Sequence, residues 1–451
     1  MYRLSILLFL ISGLCRAQNV PAKDRIVILV SIDGFPAYML QDPRLPVPNL
    51  RRLMAEGASA ERLIPVNPTV TWPNHASMVT GVPPASHSVL YNGLLMRGSA
   101  GEVPRVEPWR DKAEMVLAPT VYDIAHKAGL TTAQVDWVAI QNPGTITWSF
   151  AERPEATDTI PREMVEAGLI SATDVSEFGK GNITWRDLIW TRAGAHLIEK
   201  HRPNLLLFHL LNTDSSHHRY GPRTLGGNSA LALADARLGD LLRSLEKAGL
   251  QDRATILVAS DHGFKAVKNH IAPNALLRAE GLLRTEAGKV SGDAWVVPEG
   301  GTAMVYVLNP AVKRTLIPKL REMLGKIEGV DRVIGSQEFS SLGLPSPETN
   351  QRMADLVLSA KDGYAFIGTH DGEAVRPLTE QTGSHGYLAS DPEMHAIFVA
   401  WGYGIRRGAR VETVRTIDLA PTIAHLLDLR MPNTAGQPIS GILSLPTGRK
   451  Q

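Results

Sequence analysis

Three long apolar runs along the chain each lead to an acidic residue. In chain order, the runs and their acids are 25–32 with Asp33, 204–211 with Asp214, and 254–260 with Asp261. An apolar run without polar alternation is typical of a strand that is buried on both faces, as in a parallel sheet. Because ligands bind beyond the carboxyl ends of such strands, we expect the three carboxylates at one edge of the sheet.

Amphipathic segments alternate with these strands. The pattern predicts helices over residues 48–57, 120–129, 188–201, 227–249, 310–327 and 416–427, and further strands over 131–137, 301–308 and 394–402. Residues 139–185 give no clear pattern. Buried strands that alternate with helices predict an α/β fold, with a mostly parallel sheet sandwiched between helices.

The segment from 267 to 375 differs from the rest in its short strands and its connections rich in proline and glycine. We predict that it forms a smaller cap subdomain, inserted into a catalytic core made of residues 24–266 and 376–445. No internal repeat is found, and no linker is long enough to separate independent domains.

The first 17 residues have the pattern of a secretory signal peptide. Arg3 is followed by an apolar stretch, 4–14, that is too short to span a bilayer, and Ala17 suits a cleavage site. A buried N-terminal helix, a membrane anchor or a lipid on Cys15 are the alternatives, although Leu14 fits a lipidation site poorly.

Removal of that segment takes away Arg3, Arg16 and the single cysteine. The remaining chain has 45 basic residues against 45 acidic ones, which argues against a protein that coats nucleic acid. An exported protein without disulfides favours a bacterial periplasm over an animal cell surface. No other run is long enough for a membrane helix, so we expect a secreted chain with no membrane partner and no stable nucleic-acid partner.

The segment from Asn67 to Gly81 has the pattern of an anion-binding corner. A short β-branched run ends at Thr71, and Pro73 suits the first position of a helix. Thr71 is therefore expected at a strand-to-helix turn, beside free amides and the positive end of the helix dipole. The alternative is that Thr71 is an ordinary N-cap or turn residue.

Acidic and imidazole side chains suggest a metal site. Asp214 is followed by His218 four residues later, with His217 as a rival at three residues. The other candidates are the adjacent pair Asp261 and His262, His385 in a glycine-flanked loop, and Asp33. Carboxylates and imidazoles without cysteine are ligands typical of Zn²⁺ or Mn²⁺. They are too many for one tetrahedral ion and suit two. The other ten histidines, His209 among them, are predicted to be core or surface residues.

Six ordered pieces of the chain resemble the nucleotide pyrophosphatase/phosphodiesterase family of the alkaline phosphatase superfamily. They are 31–34, 68–75 with 80–81 and 86–87, 91–92, 214–222, 260–263 and 383–386, and the likeness extends from residue 25 to about 429. The resemblance implies an alkaline-phosphatase-like fold and a hydrolase of phosphodiester or phosphoanhydride bonds that acts on small phosphodiesters or nucleotides.

The resemblance also implies the roles of single residues. One zinc ion would be held by Asp214, His218 and His385, and a second by Asp33, Asp261, His262 and the oxygen of Thr71. Thr71 would form a phospho-threonine intermediate, Asn92 would donate to a phosphoryl oxygen, and Trp72 would lie beside the nucleophile and stack on a base. The chain departs from the family in having His217 where glycine is usual and Trp72 where phenylalanine is common.

Several alternatives keep the same chemistry. A phosphomonoesterase, a phosphonate hydrolase or a phosphodiesterase for choline or lipid headgroups would use the same pair of ions. A monoesterase usually adds a basic residue at the phosphate, for which Arg97 is the nearest candidate. Trp148 and Phe150 are candidates for the pocket wall. A hypothesis of another class is a secreted binding protein that has kept the fold and lost catalysis.

Overall fold

The computed structural model describes residues 20–444 of the 451-residue chain. The predicted signal peptide, residues 1–17, and Cys15 therefore lie outside the described residues. Between residues 20 and 444, no helix is both long enough and apolar enough to cross a membrane.

A twisted eight-stranded sheet forms the centre of the fold. Its strands are β1 (Ile26–Ile32), β2 (Ala58–Ile64), β3 (Thr132–Val135), β4 (Trp148–Phe150), β5 (Leu205–Leu210), β6 (Ala254–Ala259), β7 (Phe398–Gly402) and β8 (Ala409–Arg415). Their order is β8-β2-β7-β6-β1-β5-β3-β4. Of these eight strands only β7 runs antiparallel to its neighbours, β6 and β2. The predicted α/β class with a mostly parallel sheet is confirmed.

Both faces of the sheet are buried, which explains the unbroken apolar runs. In β1, Ile28 and Val30 belong to one core, whereas Val27 and Leu29 belong to the core on the opposite face. Successive side chains of a strand point to opposite faces, so a strand covered on both sides needs apolar residues at every position.

Helices cover the two faces. The longer ones are α1 (Pro48–Glu56), α2 (Thr71–Thr80), α3 (Val121–Lys127), α4 (Thr159–Glu166), α5 (Ile183–His196), α6 (Asn212–Tyr220), α7 (Leu225–Lys247) and α8 (Leu419–Leu426). Helices α1, α4, α5 and α7 contribute to one core, and α2, α3 and α8 to the other. Shorter helices span Pro84–His87, Lys112–Met115 and Ala172–Ser176.

Two predicted boundaries are wrong in ways that matter for the site. The residues directly before Thr71 form no strand: α2 begins at Thr71 itself, with Val70 as its N-cap and Pro73 at the third position. Proline is tolerated there because the first amides of a helix have no intrahelical acceptor. Likewise Asp214 does not follow a strand directly, because β5 ends at Leu210 and α6 then begins.

The segment after β6 folds into smaller sheets. A four-stranded antiparallel sheet consists of Ala294–Pro298, Thr302–Val307, Val330–Gly335 and Leu356–Ala360. A three-stranded sheet consists of Lys265–Ile271, Gly363–Phe366 and Val375–Ser384, and a hairpin pairs Leu283–Glu286 with Lys289–Gly292. A further two-stranded sheet, outside this segment, pairs Leu94–Met96 with Arg105–Glu107. Helices span Pro273–Ala279 and Lys313–Gly325. These sheets suit an inserted subdomain; its predicted bounds, 267 and 375, stay a prediction.

Candidate metal centre and active site

Three adjacent strands bring Asp33, Asp214 and Asp261 together. Strand β1 lies between β5 and β6 and is parallel to both, so their carboxyl ends meet at one edge. Gly34 makes the turn after Asp33 with a φ of +65°, and a Cβ at this glycine would lie 2.8 Å from the Phe264 ring and 3.3 Å from the Asp214 Cα. Glycine therefore permits the close approach of the two loops.

One pair of imidazoles surrounds the Asp214 carboxylate. Asp214 and His218 lie one turn apart on α6, and His218 Nε2 is 3.4 Å from Asp214 Oδ1. His385, which follows the strand Val375–Ser384, has its Nε2 3.6 Å from the same oxygen. The predicted first set of ligands is thus assembled within 4.8 Å.

A third imidazole, His262, faces the two remaining carboxylates. Its Nε2 lies 3.3 Å from Asp33 Oδ1 and 3.2 Å from Asp261 Oδ2. Ligand atoms of Asp33, Asp214 and His262 also lie within 4.8 Å of one another. The rings of His262 and His385 stack at 3.7 Å, so the two predicted sets form one continuous centre.

Backbone carbonyls fix the tautomer of each ring. The Nδ1–H groups of His218, His262 and His385 donate to the carbonyl oxygens of Gly383, Gly263 and Thr69, at 3.2, 3.1 and 2.9 Å. Burial lowers the pKa of His262 to about 4, and burial with the neighbouring His262 lowers the pKa of His385 to about 3. These two rings therefore present an unprotonated Nε2 to the carboxylates near neutral pH, as a metal ligand must.

One oxygen of each carboxylate lacks a hydrogen-bond partner. Asp33 Oδ1, Asp214 Oδ1, Asp261 Oδ2 and His262 Nε2 are buried and accept or donate no hydrogen bond. Burial, with repulsion from Asp261 and Asp214, raises the pKa of Asp33 well above its ordinary value. Buried carboxylates that lie together repel one another unless one takes up a proton or a cation is shared among them, so the donor set fits a metal centre.

His217, the rival to His218, points elsewhere. Its Nδ1–H donates to the Gly34 carbonyl at 3.0 Å, and its Nε2 faces the backbone of Gly227 at the start of α7. Residues three and four apart both lie on one face of a helix, so it is these contacts, and not the spacing, that direct the buried His217 ring to Gly34 and Gly227.

The sequence did not single out His209, which contacts the centre directly. His209 Nε2–H donates to Asp33 Oδ2 at 3.0 Å, and its Nδ1–H donates to the Asp136 carbonyl at 3.0 Å. Burial works against a charged ring, but the contacts with Asp136 and Asp33 raise the pKa of His209 well above its ordinary value. The prediction that His209 is a core residue is right about its location, but it missed the contact with Asp33. A single ionisable residue inside a buried apolar strand was the signal that could have indicated it.

Thr71 lies in the chain between Thr69 and His75, two residues that contact this centre. Thr69 accepts from His385, as above, and His75, one turn after Thr71, donates from Nδ1 to the Thr71 carbonyl at 2.8 Å and lies 3.7 Å from Asp261 Oδ2. The Trp72 amide donates to Asn92 Oδ1 at 2.9 Å, whereas the Thr71 amide has no intrahelical acceptor.

A cavity of about 370 Å³ opens next to His218 and His385. Its other lining residues come from the segment before α2, the loop at Asn92 and the small sheets: Val70, Tyr91, Asn92, Pro298, Glu299, Gly300, Phe366, Ile367, Gly368 and Ser384. Glu299 is only 6% exposed and its Oε1 has no partner. Burial raises its pKa well above the ordinary range.

The predicted aromatic residues lie apart from this cavity wall. Trp72 is buried among Ala76, Val89 and Met115, so its stacking on a base stays a prediction. Phe150 is fully buried in the core, and Trp148 lines a separate cavity next to β4. Tyr91 and Phe366 are the aromatic rings that line the cavity.

Arg97 does not reach the cavity. Its guanidinium forms an ion pair with the buried Asp355 at 3.2 Å, donates to the Met353 carbonyl and lies over the Tyr306 ring. Neither lysine nor arginine is found among the residues that line the cavity in the described part of the chain.

Comparison with known proteins agrees with this geometry. The profile of the type I phosphodiesterase / nucleotide pyrophosphatase family matches residues 27–388. An uncharacterized pyrophosphatase/phosphodiesterase of Schizosaccharomyces pombe is 26% identical over 416 residues, which are 89% of this chain and 77% of that protein. The bis(5'-adenosyl)-triphosphatase enpp4 of Xenopus laevis is 27% identical over 93% of this chain and 80% of its own length.

Solved structures share the fold. Human ectonucleotide pyrophosphatase / phosphodiesterase 5 superimposes with a TM-score of 0.69 at 19% identity, over 93% of this chain and all of that one. An inactive variant of its murine counterpart, solved in complex with AMP, gives the same TM-score at 20% identity. Since the family profile covers most of the chain, including every candidate ligand, the protein belongs to the type I phosphodiesterase / nucleotide pyrophosphatase family.

Proposed function

We propose that this protein is a two-zinc hydrolase that cleaves phosphodiester or phosphoanhydride bonds through a phospho-threonine formed on Thr71. One observation carries the proposal. Buried, unpartnered carboxylate oxygens and an imidazole Nε2 converge at the sheet edge, beside the helix N-terminus that bears Thr71. Such a centre suits an anionic substrate with developing negative charge.

The residues divide into two ligand sets. Asp214, His218 and His385 would hold one ion, and Asp33, Asp261, His262 and the Thr71 hydroxyl would hold the second. When bound, two zinc ions supply Lewis-acid stabilisation of the attacking and leaving oxygens of an in-line displacement. All the ligands other than Thr71 are aspartate or histidine, which suits Zn²⁺.

Thr71 is the nucleophile in this proposal. Its hydroxyl attacks phosphorus, the bond to the leaving oxygen breaks, and that oxygen departs after taking up a proton. Water then attacks the phospho-threonine, which frees the phosphate product and restores the Thr71 hydroxyl. The free amide at the start of α2 would donate to a phosphoryl oxygen during both steps.

Asn92 would orient and stabilise the phosphoryl group. Because its Oδ1 accepts from the Trp72 amide, its Nδ2 group is left to donate into the cavity that Asn92 lines. A donor held in advance costs no reorganisation during the reaction.

The cavity favours a diester. A monoester has a second unbridged charge at phosphorus, for which a basic residue would be expected, and the lining residues lack one. Since the Xenopus relative carries the name of a bis(5'-adenosyl)-triphosphatase, nucleotides and dinucleotides are the first substrates to test.

A second candidate is a choline-type phosphodiester, favoured by Glu299. A quaternary ammonium group in the cavity would favour the ionised form of Glu299 and would contact the rings of Tyr91 and Phe366. The chemistry at Thr71 would be unchanged. Products released from a panel of nucleotides, monoesters and choline phosphodiesters distinguish the two.

Substitution of the nucleophile tests the mechanism. We expect Thr71→Ala to abolish turnover of bis-p-nitrophenyl phosphate while the zinc content stays near that of the wild type. Thr71→Ser, which keeps the hydroxyl, should retain part of the activity. Turnover by Thr71→Ala would refute the covalent mechanism, and a purified protein without zinc or turnover would favour a binding protein that has lost catalysis.

Secretion belongs to the same proposal. We infer that residues 1–17 direct export, with the bacterial periplasm as the destination. N-terminal sequencing of the protein from its native host should give Gln18 as the first residue; a chain that begins at Met1 would contradict export by cleavage.

A further inference from the structure

A second group of metal-ligating side chains lies at the opposite edge of the sheet. Glu163 on α4, His196 at the end of α5 and His201, five residues later, have ligand atoms within 4.8 Å of one another. We call these three residues the Glu163 cluster. His201 lies just before β5, whereas the Asp33 centre lies beyond its far end. Six strand residues separate the two by roughly 20 Å.

A π-helical turn creates this arrangement. Residues Leu197–His201 continue α5 as a π segment, closed by the Arg202 amide bonded to the Leu197 carbonyl at 2.8 Å. In an α-helix, residues five apart do not share a face, but a π turn brings them into register. The rings of His196 and His201 are consequently 5.7 Å apart.

Both rings direct Nε2 at the same carboxylate oxygen. The distances from Glu163 Oε2 are 3.0 Å to His196 and 2.7 Å to His201. The side chains are 8% and 12% exposed, and that of Glu163 is 18% exposed. Bond lengths of about 2.0–2.1 Å at tetrahedral zinc separate ligand atoms by about 3.3 Å, so small side-chain rotations would admit an ion.

We propose that Glu163, His196 and His201 form a zinc-binding site that is separate from the Asp33 centre. Two imidazoles and one carboxylate are the ligand set of a three-residue zinc site, whose fourth position is taken by water. Zinc binding would displace the Nε2 proton of each ring together with its hydrogen bond to Glu163, and each neutral ring would then carry its single proton on Nδ1. The site does not depend on the proposed function.

Lys200 is the competitor for this site. Its Nζ is 2.9 Å from Glu163 Oε2, and its side chain is 52% exposed. The ammonium group can therefore leave for solvent when an ion binds, at the cost of a single partly exposed ion pair. Such pairs contribute little, because solvent screens them.

Zinc content of matched variants tests the site. After dialysis against micromolar free Zn²⁺, we expect the wild-type enzyme to hold one more zinc per chain than the double variant His196→Ala/His201→Ala. The control His126→Ala removes an exposed imidazole outside both clusters and should keep the wild-type content. Because the catalytic centre is unchanged in all three, its ions cancel in the comparison. Equal zinc content in the wild type and the double variant would overturn the proposal.

A second variant covers the case in which the double variant does not fold. Lys200→Ala retains all three ligands and removes the competing charge at a half-exposed position. Chelator competition should show zinc bound about two- to five-fold more tightly at the additional site, the factor that corresponds to a surface ion pair. Unchanged or weaker binding in Lys200→Ala would overturn the proposal.

Discussion

Replacement of His209 by asparagine tests how the fold holds the proposed metal centre. His209 bridges two buried carboxyl groups: it donates to Asp33 Oδ2 at 3.0 Å, and its Nδ1 lies 3.2 Å from Asp136 Oδ2. Asp33 has one oxygen on His209, while its second oxygen faces His262 without a hydrogen bond. The shorter asparagine cannot span both contacts, so the Asp33 carboxylate loses its anchor.

The expected loss follows from these contacts. Removal of a group that orients a metal ligand typically weakens metal binding 10- to 100-fold, which corresponds to about 1.4–2.7 kcal/mol. Stability should fall as well, since removing one partner of a buried ion pair costs about 3–5 kcal/mol. Turnover at saturating zinc should recover part of the wild-type value, because Thr71 and the ligands remain.

Chelator competition measures zinc affinity, and thermal unfolding of the metal-free protein measures stability. His87→Asn is the matched control: His87 is equally buried, its Nε2 is bonded to Ser77 Oγ at 2.9 Å, and it is not among the candidate ligands. This variant should lose stability and keep wild-type zinc affinity. If His209→Asn also keeps that affinity, the interpretation that His209 positions Asp33 is wrong.

Four further outcomes follow from the structure. Asn92→Ala should lower kcat about 10²–10³-fold in steady-state assays with zinc content unchanged, since one donor to the phosphoryl group is lost. Glu299→Gln should raise KM for choline phosphodiesters and leave KM for nucleotides unchanged if the carboxyl group binds a cation. Gly386→Ala should lower the free energy of unfolding by about 2–4 kcal/mol in urea denaturation, because φ is +81° and the new Cβ would lie 1.7 Å from the Glu299 carbonyl oxygen. Partial burial opposes ionisation of Glu163, but hydrogen bonds from His196, His201 and Lys200 lower its pKa from 4.5 to about 2. The ionised Glu163 therefore stabilises the fold above pH 4.5, and this contribution is lost as the pH falls towards 2. With a chelator present to remove metal, the difference in free energy of unfolding between wild type and Glu163→Gln should be about 1 kcal/mol larger at pH 6 than at pH 3.

Each outcome has a result that contradicts it. Wild-type kcat in Asn92→Ala would exclude its donation to the phosphoryl group, and an equal rise of KM for both substrate classes would exclude a cation subsite at Glu299. A Gly386→Ala protein as stable as the wild type would show that the loop relaxes freely. A stability difference independent of pH would show that Glu163 titrates normally.

Local patterns were sufficient for the elements that have strong periodicity. The apolar run of β1 and the glycine at position 34 predict a buried strand and a tight turn without reference to the rest of the chain. The change from β5 to α6 before Asp214 was not predicted. The apolar Leu211 and the uncharged Asn212 follow the end of the strand, and no proline or glycine marks the start of the helix. Strand β8 lies at the edge of the sheet and β2 lies next to it. Both carry exposed or partly exposed polar residues, such as Glu61, Arg62 and Glu412, so no apolar run reveals them.

The sequence by itself determined which chemical groups the site contains. Three features could be read directly: the acidic residues after buried strands, the four-residue spacing of Asp214 and His218, and the Thr71 segment. Spacing along a strand or helix fixes which neighbours share a face. The tertiary structure alone decided what lies across the site: His218 rather than His217 beside Asp214, His209 behind Asp33, and Glu299 in the cavity. These contacts join residues up to hundreds of positions apart, and their distances depend on strand order and loop closure, which no local pattern encodes.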